Sequence, residues 1–319
     1  MKIENSQKGR VDAILARKLN LPRNQIEKLI KNVGIKIDGV FTTKNSTKLN
    51  GSETIEYEFV EVSSKKQCYG VDFDVEVLYE DNYVLVVNKP PFLTVHPAPS
   101  VKEATLVDWL IQKGISLSTI SGEERHGIVH RIDKETSGAL VVAKTNEAHL
   151  GLSKQLEDKS MGRYYLALID VPIKEDIIVE KPLGRNPINR LKMAVVENGR
   201  DAKSAFSPLC LSKDEKTQLI SAKLFTGRTH QIRVHLQSLS RHILGDSLYG
   251  FKSQNSKISR VMLHAYAIYF RHPSTNQYMQ VIAPLFDDFE QILKKHFRKE
   301  CINEKITLSY ITDNFKLFC

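Results

Sequence analysis

The chain has 319 residues, of which 41% are hydrophobic and 26% charged, and its formal net charge is +9. This length and composition exclude a single small module and wholesale disorder, and they predict two folded units with ordinary hydrophobic cores. The positive charge favours an anionic partner, but it does not distinguish RNA from DNA, acidic lipid or a nucleotide.

The four cysteines lie far apart in the sequence and form no CxxC pair: Cys68, Cys210, Cys301 and Cys319. This spacing predicts reduced thiols rather than a disulfide framework or a zinc ribbon. The N-terminal MKIENSQKGR is polar, and no apolar run approaches the ~20 residues that span a bilayer. We therefore expect a soluble, cytoplasmic protein with no membrane partner.

The first sixty residues predict a small unit of two helices followed by a sheet. Apolar residues recur at helical spacing over Val11–Leu19 and again over Arg23–Lys31. Asp38-Gly39 stands between short runs of β-formers, which indicates a hairpin, because both turn positions must tolerate positive φ. Strict alternation of apolar and polar residues over 54–59 predicts a final, half-buried strand.

Positive side chains are concentrated on and beside the second helix and the hairpin of this unit. The RVDAIL opening, the basic second helix and the KIDGV hairpin resemble an S4 RNA-binding domain over about residues 10–59. The resemblance implies that Arg17, Arg23 and Lys28 contact RNA. The alternative from the residues alone is a small αβ module with an ordinary solvated charged face.

Residues 61–74 contain Ser-Ser-Lys-Lys without a clear period and predict a linker, and residues 75–297 form a second, larger unit. Strands are predicted at 75–78, 83–87, 139–143, 164–169, 219–224 and 262–270, and helices at 106–113 and 146–156. Strands follow strands more often than they alternate with helices, which favours a mixed, largely antiparallel α+β fold. No dinucleotide or P-loop motif is present. The role of residues 298–319, a C-terminal extension, stays open.

The densest group of reactive side chains lies in residues 126–144, HGIVHRIDKETSGALVVAK. His126, His130 and Asp133 could hold a metal only on a helix, yet residues 127–129, Gly-Ile-Val, favour extended chain. A second hypothesis is a polar turn that caps a buried strand. A third is a nucleophilic or basic carboxylate in a nucleotide pocket.

The same segment resembles a known family. HRIDKETSG is similar to the HRLDxxTSG motif of the RluA/RluD family of pseudouridine synthases, with Ile132 as the only departure. Further family motifs follow in the expected order: NKPP with VHP at 88–97, TGRTHQIRVH at 226–235, LGD with LYG at 244–250, LHA at 263–265 and HP at 272–273. The likeness spans about residues 75–293 and is highly specific.

The resemblance implies roles for individual residues. Asp133 is the catalytic carboxylate, and Arg233 is its candidate ion-pair partner; the alternative for Arg233 is a strand arginine that contacts RNA phosphate. The family's KxYxA pattern falls on Arg163 and Tyr165, so Tyr165 is the candidate platform for the uracil ring. Arg163 departs from the family's lysine, and the neighbouring Tyr164 leaves the assignment open by one residue.

A uridine must leave the base stack to enter such a pocket, and Arg131 resembles the family residue that occupies the vacated space. Arg228 is expected at the RNA backbone or in a structural contact. Three histidines are expected to be polar residues of the pocket wall: His130, His230 and His235. The reaction implied by the resemblance needs no cofactor and no metal.

The resemblance favours large-subunit ribosomal RNA as the partner of a monomeric enzyme, with transfer RNA as an alternative substrate. A non-catalytic RNA-binding or ribosome-assembly protein and a metal-dependent hydrolase are the alternatives from other classes. RNA binding without chemical change to uridine would indicate the former, and activity lost on chelation would indicate the latter.

Overall fold

The computed structural model describes residues 2–19, 23–58, 69–118, 126–250 and 258–316. The chain divides into two compact units, Met1–Gln67 and Cys68–Cys319. The division falls within the predicted linker of residues 61–74, most of which lies outside the described residues.

The N-terminal unit contains the two predicted helices and a small antiparallel sheet. Its elements are β1 (Lys2–Glu4), β2 (Gly9–Arg10), α1 (Val11–Leu19), α2 (Arg23–Asn32), β3 (Ile35–Ile37), β4 (Val40–Thr42), β5 (Lys48–Leu49) and β6 (Thr54–Tyr57). The main sheet has the order β1-β6-β3-β4. The hairpin turn is placed as predicted, with Asp38 at φ 49° and Gly39 at φ 80°. Ile55 and Tyr57 of β6 face the core, whereas Phe59 lies outside the described residues.

The second unit is a mixed α+β domain, as predicted. Its elements are β7 (Glu76–Glu80), β8 (Val84–Lys89), α3 (Leu106–Gln112), β9 (Ser137–Ala143), α4 (Asn146–Glu157), β10 (Gly162–Ile169), β11 (Ile177–Glu180), β12 (Leu183–Arg185), β13 (Met193–Val195), β14 (Lys203–Leu211), β15 (Gln218–Leu224), α5 (Gln231–Gln237), β16 (Leu263–Arg271), β17 (Tyr278–Ile282), α6 (Asp287–His296), α7 (Lys299–Lys305) and α8 (Leu308–Asn314).

A nine-stranded sheet forms the centre of this unit. Its order is β11-β14-β15-β10-β16-β9-β8-β7, with β17 paired to β16, and only the β9–β16 pair is parallel. Every residue of β8, β9 and β10 is buried, because helices and loops cover both faces. Gly138 lies where β9 meets β16: its φ is +111°, and a Cβ there would approach the Ala265 carbonyl oxygen to 2.3 Å.

The helices start at side-chain caps that the sequence provides. Thr105 accepts a hydrogen bond from the Asp108 amide, and the Asp108 carboxylate accepts one from the Thr105 amide, which is a capping box for α3. Thr145 caps α4 in a similar way through the Ala148 amide. In the described part of the chain, no helix is long and apolar enough to span a membrane.

The C-terminal helices pack on the face of β10 that carries Tyr164. Ile311 and Phe315 are fully buried, and the Phe315 ring stacks on Tyr164 at 5.7 Å between ring centroids. A disulfide joins Cys210 of β14 to Cys301 of α7. The prediction of reduced thiols is therefore wrong for this pair. The reason is that α7 folds back on β14, so cysteines 91 positions apart become neighbours, and no local spacing pattern records this.

Candidate active site

A pocket with a cavity volume of about 40 Å³ lies beside Asp133. Its walls come from four elements, β10, β15, α5 and β16, and from the loops before β9 and α5. The lining residues are Arg131, Ile132, Asp133, Thr136, Arg163, Tyr165, Leu224, Gly227, Arg228, His230, Gln231, Ile232, Arg233 and Leu263. The pocket thus contains five residues for which the sequence predicted a functional role.

The loop over residues 130–136 carries Asp133 in a defined conformation. A turn is closed by the Thr136 amide, which donates to the Asp133 carbonyl at 3.1 Å. The loop begins at His130, whose Nε2 accepts a hydrogen bond from the Val141 amide of β9 at 3.2 Å. No helix forms between residues 126 and 136, as the Gly-Ile-Val run predicted.

Lys89 supports this loop from the end of β8. Its side chain is fully buried, and Nζ donates to the carbonyl oxygens of Pro90, Leu93 and Lys134 at 2.6, 2.9 and 3.1 Å. Burial lowers the pKa of Lys89 to about 7, although the nearby charge of Asp133 acts in the opposite direction. The three carbonyls match the three donors of an ammonium group.

The metal hypothesis finds no support in the arrangement of its residues. The His130 ring is directed at the Val141 amide and at Arg163, and Asp133 is paired with Arg233. Within the described ranges, no group of three or more His, Cys, Asp or Glu side chains is placed to hold a metal ion.

Arg233 links two carboxylates in the wall of the pocket. Its Nη1 donates to Asp133 at 3.1 Å, and its Nε and Nη2 bind the two oxygens of Asp246 at 2.7 and 2.8 Å. The guanidinium also lies over the Tyr249 ring, 4.9 Å from its centroid. Burial alone would lower the pKa of Arg233, but the hydrogen bonds and charges of Asp246 and Asp133 raise it above the usual range of arginine.

Arg233 lies in the first turn of α5, so the alternative of a strand arginine is wrong. The turn before this helix is held by Gln231, whose Oε1 accepts from the Thr226 hydroxyl at 2.8 Å and from the Arg228 amide at 3.0 Å. The Gln231 Nε2 donates to a carbonyl and a hydroxyl of β14. His230, with φ 56°, completes the turn. This turn starts α5, and Arg233 therefore lies on a helix rather than on a strand.

The structure places Tyr165, not Tyr164, in the pocket. Successive side chains of β10 point to opposite faces of the sheet, so Arg163 and Tyr165 share the pocket face. Tyr164 points to the other face, where it packs on Tyr269 and Phe315. Tyr165 therefore stays the candidate platform, and the sheet directs Tyr164 away from the pocket.

The three predicted wall histidines have different positions. His230 hydrogen-bonds through Nδ1 to the Tyr249 hydroxyl at 2.7 Å, and its Nε2 is 3.9 Å from Asp133. Burial lowers the pKa of His230, which the charge of Asp133 partly offsets. His235 is fully buried and is held by a hydroxyl of β14 and by the Lys181 carbonyl. His130 supports the loop, as described above.

The two predicted RNA-contacting arginines of this unit lie at the pocket. Arg131 is exposed two residues before Asp133 and lines the pocket. Arg228 is partly exposed, and its Nε donates to the Asp201 carbonyl at 3.0 Å. Arg228 therefore makes the structural contact that was one of its two predicted roles, and Arg131 extends towards solvent.

The predicted RNA-binding residues of the N-terminal unit belong to its helices. Arg23 is half exposed and binds the buried carboxylate of Asp12 at 2.9 Å and Glu27 at 3.3 Å. Arg17 is exposed on α1, and Lys28 is in α2 with a side chain that lies outside the described part of the chain. Burial would raise the pKa of Asp12, but hydrogen bonds from arginines lower it to about 2. Arg23 thus has a structural partner in addition to its predicted one.

Several residues of the site had no predicted role. Asp246 holds Arg233, Tyr249 lies between Arg233 and His230, and Lys89 holds the loop of Asp133. Asp246 and Tyr249 belong to the LGD and LYG motifs, and Lys89 belongs to NKPP. The sequence offered one signal for Asp246: it is an acidic residue in the LGD motif, and Arg233 in the TGRTHQIRVH motif needs an acidic partner when it is buried.

Comparison with known proteins adds independent information. A family model described as RNA pseudouridylate synthase matches residues 83–238. An uncharacterized RNA pseudouridine synthase of Helicobacter pylori is 47% identical over 307 residues, which cover 92% of each chain. The ribosomal large subunit pseudouridine synthase D of Nitrosomonas europaea is 34% identical over 293 residues, 89% of this chain and 83% of that protein. The structure of human RNA pseudouridylate synthase domain containing 1 matches with a TM-score of 0.56 at 25% identity, over 68% of this chain and 85% of that one.

Proposed function

The chain belongs to the RNA pseudouridylate synthase family, and we propose that it isomerises specific uridines of large-subunit ribosomal RNA with Asp133 as the catalytic carboxylate. The observation that carries the proposal is the pairing of Asp133 with Arg233 in a pocket that also contains Tyr165. The N-terminal unit, by its resemblance to an S4 domain, adds affinity for RNA.

The reaction moves the uracil ring from one bond to another without a net gain or loss of atoms. The N1–C1′ bond breaks and its electron pair stays with the uracil, which turns so that C5 faces C1′. A C5–C1′ bond then forms, C5 loses its proton and N1 gains one. Asp133 assists by bonding to the substrate, by balancing positive charge on the sugar, or by accepting a proton.

The Asp133–Arg233–Asp246 chain keeps the catalytic carboxylate in one place. Arg233 donates two hydrogen bonds to Asp246, and these orient its guanidinium so that Nη1 donates to Asp133. The Asp133 side chain is 18% exposed, so a substrate can reach it from the pocket mouth. Such preorganisation places the charge before the substrate arrives and lowers the reorganisation needed during reaction.

The remaining residues of the pocket suit a base that has left its stack. Tyr165 provides an aromatic ring beside Asp133, on which a uracil can stack. Arg131 is exposed at the same pocket, and its planar guanidinium can both stack on neighbouring bases and donate hydrogen bonds. We assign to Arg131 the space that the flipped uridine vacates, and to Arg228 a contact with the RNA backbone.

Large-subunit ribosomal RNA is the proposed substrate because relatives that are 34–40% identical are named ribosomal large subunit pseudouridine synthase D. Transfer RNA is the second candidate, since the family motifs by themselves do not distinguish the two. The choice depends on surfaces outside the pocket.

The test is pseudouridine mapping of cellular RNA by carbodiimide adduct and primer extension. Cells that lack the protein are compared with cells complemented by the wild type or by Asp133→Asn. We expect particular pseudouridines of large-subunit RNA to disappear in the deletion, to return with the wild type and to stay absent with the variant. Asp133→Asn retains shape and removes the charge, so loss of function without loss of protein reports on the chemistry.

Three other patterns would contradict parts of the proposal. Lost sites in transfer RNA alone would overturn the ribosomal substrate. Sites restored by Asp133→Asn would overturn the role of Asp133. An identical pattern in all strains would favour a non-catalytic RNA-binding protein.

A further inference from the structure

Arg163 is a buried cation of the pocket for which the described residues provide no carboxylate. It is 5% exposed and lines the pocket beside Asp133 and Tyr165. Among the described residues, its Nε has no hydrogen-bond partner, and the hydrogen-bond contact of its Nη1 is with the His130 ring at 3.4 Å. A buried charge without a partner is costly to the fold, so its presence in a pocket points to a ligand that completes it.

The other buried arginines of the described chain show what Arg163 lacks. Arg233 binds both oxygens of Asp246 at 2.7 and 2.8 Å. Arg260 binds both oxygens of Asp288 at 2.5 and 2.8 Å. Each of these two guanidiniums thus has a carboxylate with the geometry that arginine prefers. Arg163 is buried to a similar extent, but no carboxylate of the described residues binds it.

The His130 ring is a poor acceptor for Arg163. The Nε2 atom of His130 already accepts a hydrogen bond from the Val141 amide, so it carries no proton. Burial, and after it the charge of Arg163, lowers the pKa of His130 well below its usual value, so the ring is neutral. The one ring proton is therefore on Nδ1, which faces a donor nitrogen of Arg163 rather than offering it a lone pair.

The position of Arg163 fits a contact with the base rather than with the phosphates. It extends from the same face of β10 as Tyr165, the proposed platform for the uracil ring. Gly227 leaves room for the guanidinium, because a Cβ there would lie 3.1 Å from Nη2 of Arg163. Phosphates of a bound RNA stay at the surface, where the more exposed Arg131 and Arg228 lie.

Negative charge arises on the uracil during the proposed reaction. When the N1–C1′ bond breaks, the electron pair remains on the ring and is shared among N1, O2 and O4. The same charge develops whether Asp133 acts on the sugar or on the ring. A preorganised cation in a pocket that excludes water stabilises such charge more than bulk water does.

We propose that Arg163 is a catalytic residue that binds the detached uracil, its guanidinium donating to the ring oxygens that carry the negative charge. The inference rests on the proposed function. It assigns separate anions to the two buried arginines of the pocket: Arg233 holds Asp133, and Arg163 holds the leaving base.

The test compares Arg163→Met and Arg163→Lys with the wild type on the RNA identified by the mapping experiment. The single-turnover rate at which the target uridine or 5-fluorouridine is consumed is measured at saturating RNA, by mass spectrometry of the nucleosides. Consumption is followed because C5 of 5-fluorouridine has no proton to lose, so the two nucleotides share the cleavage step but not the final one. Fluorine withdraws electrons and stabilises the uracil anion, so cleavage depends less on Arg163. We expect Arg163→Met to slow the uridine reaction at least ~100-fold and the 5-fluorouridine reaction ~10-fold or less, with Arg163→Lys between Met and wild type.

Two further measurements separate this role from a structural one. RNA affinity, measured in the Asp133→Asn background to prevent turnover, is expected to change less than ~3-fold with Arg163→Met, since the charge forms only during reaction. The melting temperature of Arg163→Met is expected to equal or exceed that of the wild type, because an unpaired buried charge is removed. Arg228→Met is the matched control: its effect is expected to be the same for both nucleotides.

The measured outcomes distinguish a catalytic role of Arg163 from a structural role and from a contact with phosphate. Equal rate losses on uridine and 5-fluorouridine, with a lowered melting temperature, would make Arg163 structural and overturn the proposal. A large loss of affinity at an unchanged rate would make it a phosphate contact, which also overturns it. If the wild-type protein forms no pseudouridine in this RNA, the proposed function itself has failed, and this is seen before any variant is compared.

Discussion

At the scale of single residues, the geometry around Asp133 depends on how buried charges are paired. Arg233 is held by Asp246 through two nitrogens and reaches Asp133 through the third. Asp246 is itself buried and accepts a further bond from the Tyr249 amide at 3.1 Å. The position of the Asp133 carboxylate thus depends on Asp246, an acid that has no direct contact with it in the described hydrogen bonds.

Asp246→Asn is predicted to impair both folding and catalysis. Asparagine has one acceptor oxygen where the carboxylate has two, and its NH2 group is a donor that faces Arg233, so a buried guanidinium loses its main counter-charge. We expect the free energy of unfolding to fall by about 3–5 kcal/mol and the single-turnover rate to fall by at least ~10-fold. Urea unfolding and single-turnover assays at saturating RNA measure the two effects.

Asp288→Asn is the matched control, because it breaks the Arg260–Asp288 pair outside the pocket. It is expected to lower stability with a much smaller effect on rate. A comparable rate loss in both variants would show that general destabilisation, rather than the orientation of Arg233, explains the result.

At the scale of elements, the loop over residues 130–136 is held between β8, β9 and the segment before β16. Lys89 at the end of β8 binds the Lys134 carbonyl, and the Glu135 carboxylate accepts from the Val261 amide at 3.2 Å. The loop has no regular secondary structure, yet it is bound on two sides, through the Lys134 carbonyl and through the Glu135 side chain. Catalytic residues on loops commonly depend on such a rigid scaffold.

Lys89 is predicted to make stability depend on pH. Its pKa is lowered to about 7 in the folded protein and is near 10.4 in the unfolded chain, so between these values the unfolded state binds more protons. Stability from this group therefore rises with pH from about 7 to about 10, by at most ~1.4 kcal/mol per pH unit. Urea unfolding across this range measures the slope.

Lys89→Met removes the titrating group and retains most of the side-chain volume. The difference between wild type and variant cancels the other groups that titrate in the same range. A difference that stays constant with pH would contradict the prediction and would mean that Lys89 keeps an ordinary pKa in the fold.

The C-terminal helices are predicted to be part of the catalytic domain's core rather than an appendage. Phe315→Ala leaves a cavity against Tyr164, and we expect it to lower the free energy of unfolding by about 3–5 kcal/mol. Lys316→Ala, whose side chain is exposed, is the neighbouring control with an expected effect within ~0.5 kcal/mol. Equal stabilities of the two variants would show that Phe315 is not buried in solution.

At the scale of the whole molecule, the two units carry charge unequally. Residues 1–67 hold 13 Lys and Arg against 8 Asp and Glu, so about a fifth of the chain carries +5 of the net +9. The unit also has its own hydrophobic core around Ile14, Ile26 and Ile30. These features suit a separate module that attracts RNA through its phosphates.

A chain that starts at Cys68 is predicted to keep its chemistry and lose affinity. We expect its single-turnover rate at saturating RNA to stay within ~3-fold of the full chain, its RNA affinity to fall at least ~10-fold, and the salt dependence of binding to become weaker. Filter binding at several salt concentrations and single-turnover assays provide the comparison. Unchanged affinity and salt dependence would contradict the S4 assignment.

The sequence by itself determined the local features of this protein and its family. Asp38-Gly39 predicts its hairpin because the turn conformation depends on those two residues alone, and the fold class followed from the order of strands and helices. The motif around Asp133 and the ordered motifs after it indicate the family. Such features depend on residues that are neighbours in the sequence, or on the identity of the residues in a motif, and not on contacts between distant parts of the chain.

The tertiary structure alone decided which side chains meet. Four features depend on how the chain returns to the sheet. They are the Arg233–Asp246 pair, the position of Tyr165 rather than Tyr164 in the pocket, the burial of Arg163 without a carboxylate among the described residues, and the helix that carries Arg233. The disulfide of β14 and α7 depends on it as well. The physical reason is that local preference selects the conformation of neighbouring residues, whereas contacts between distant residues form only when the packed core places their elements side by side.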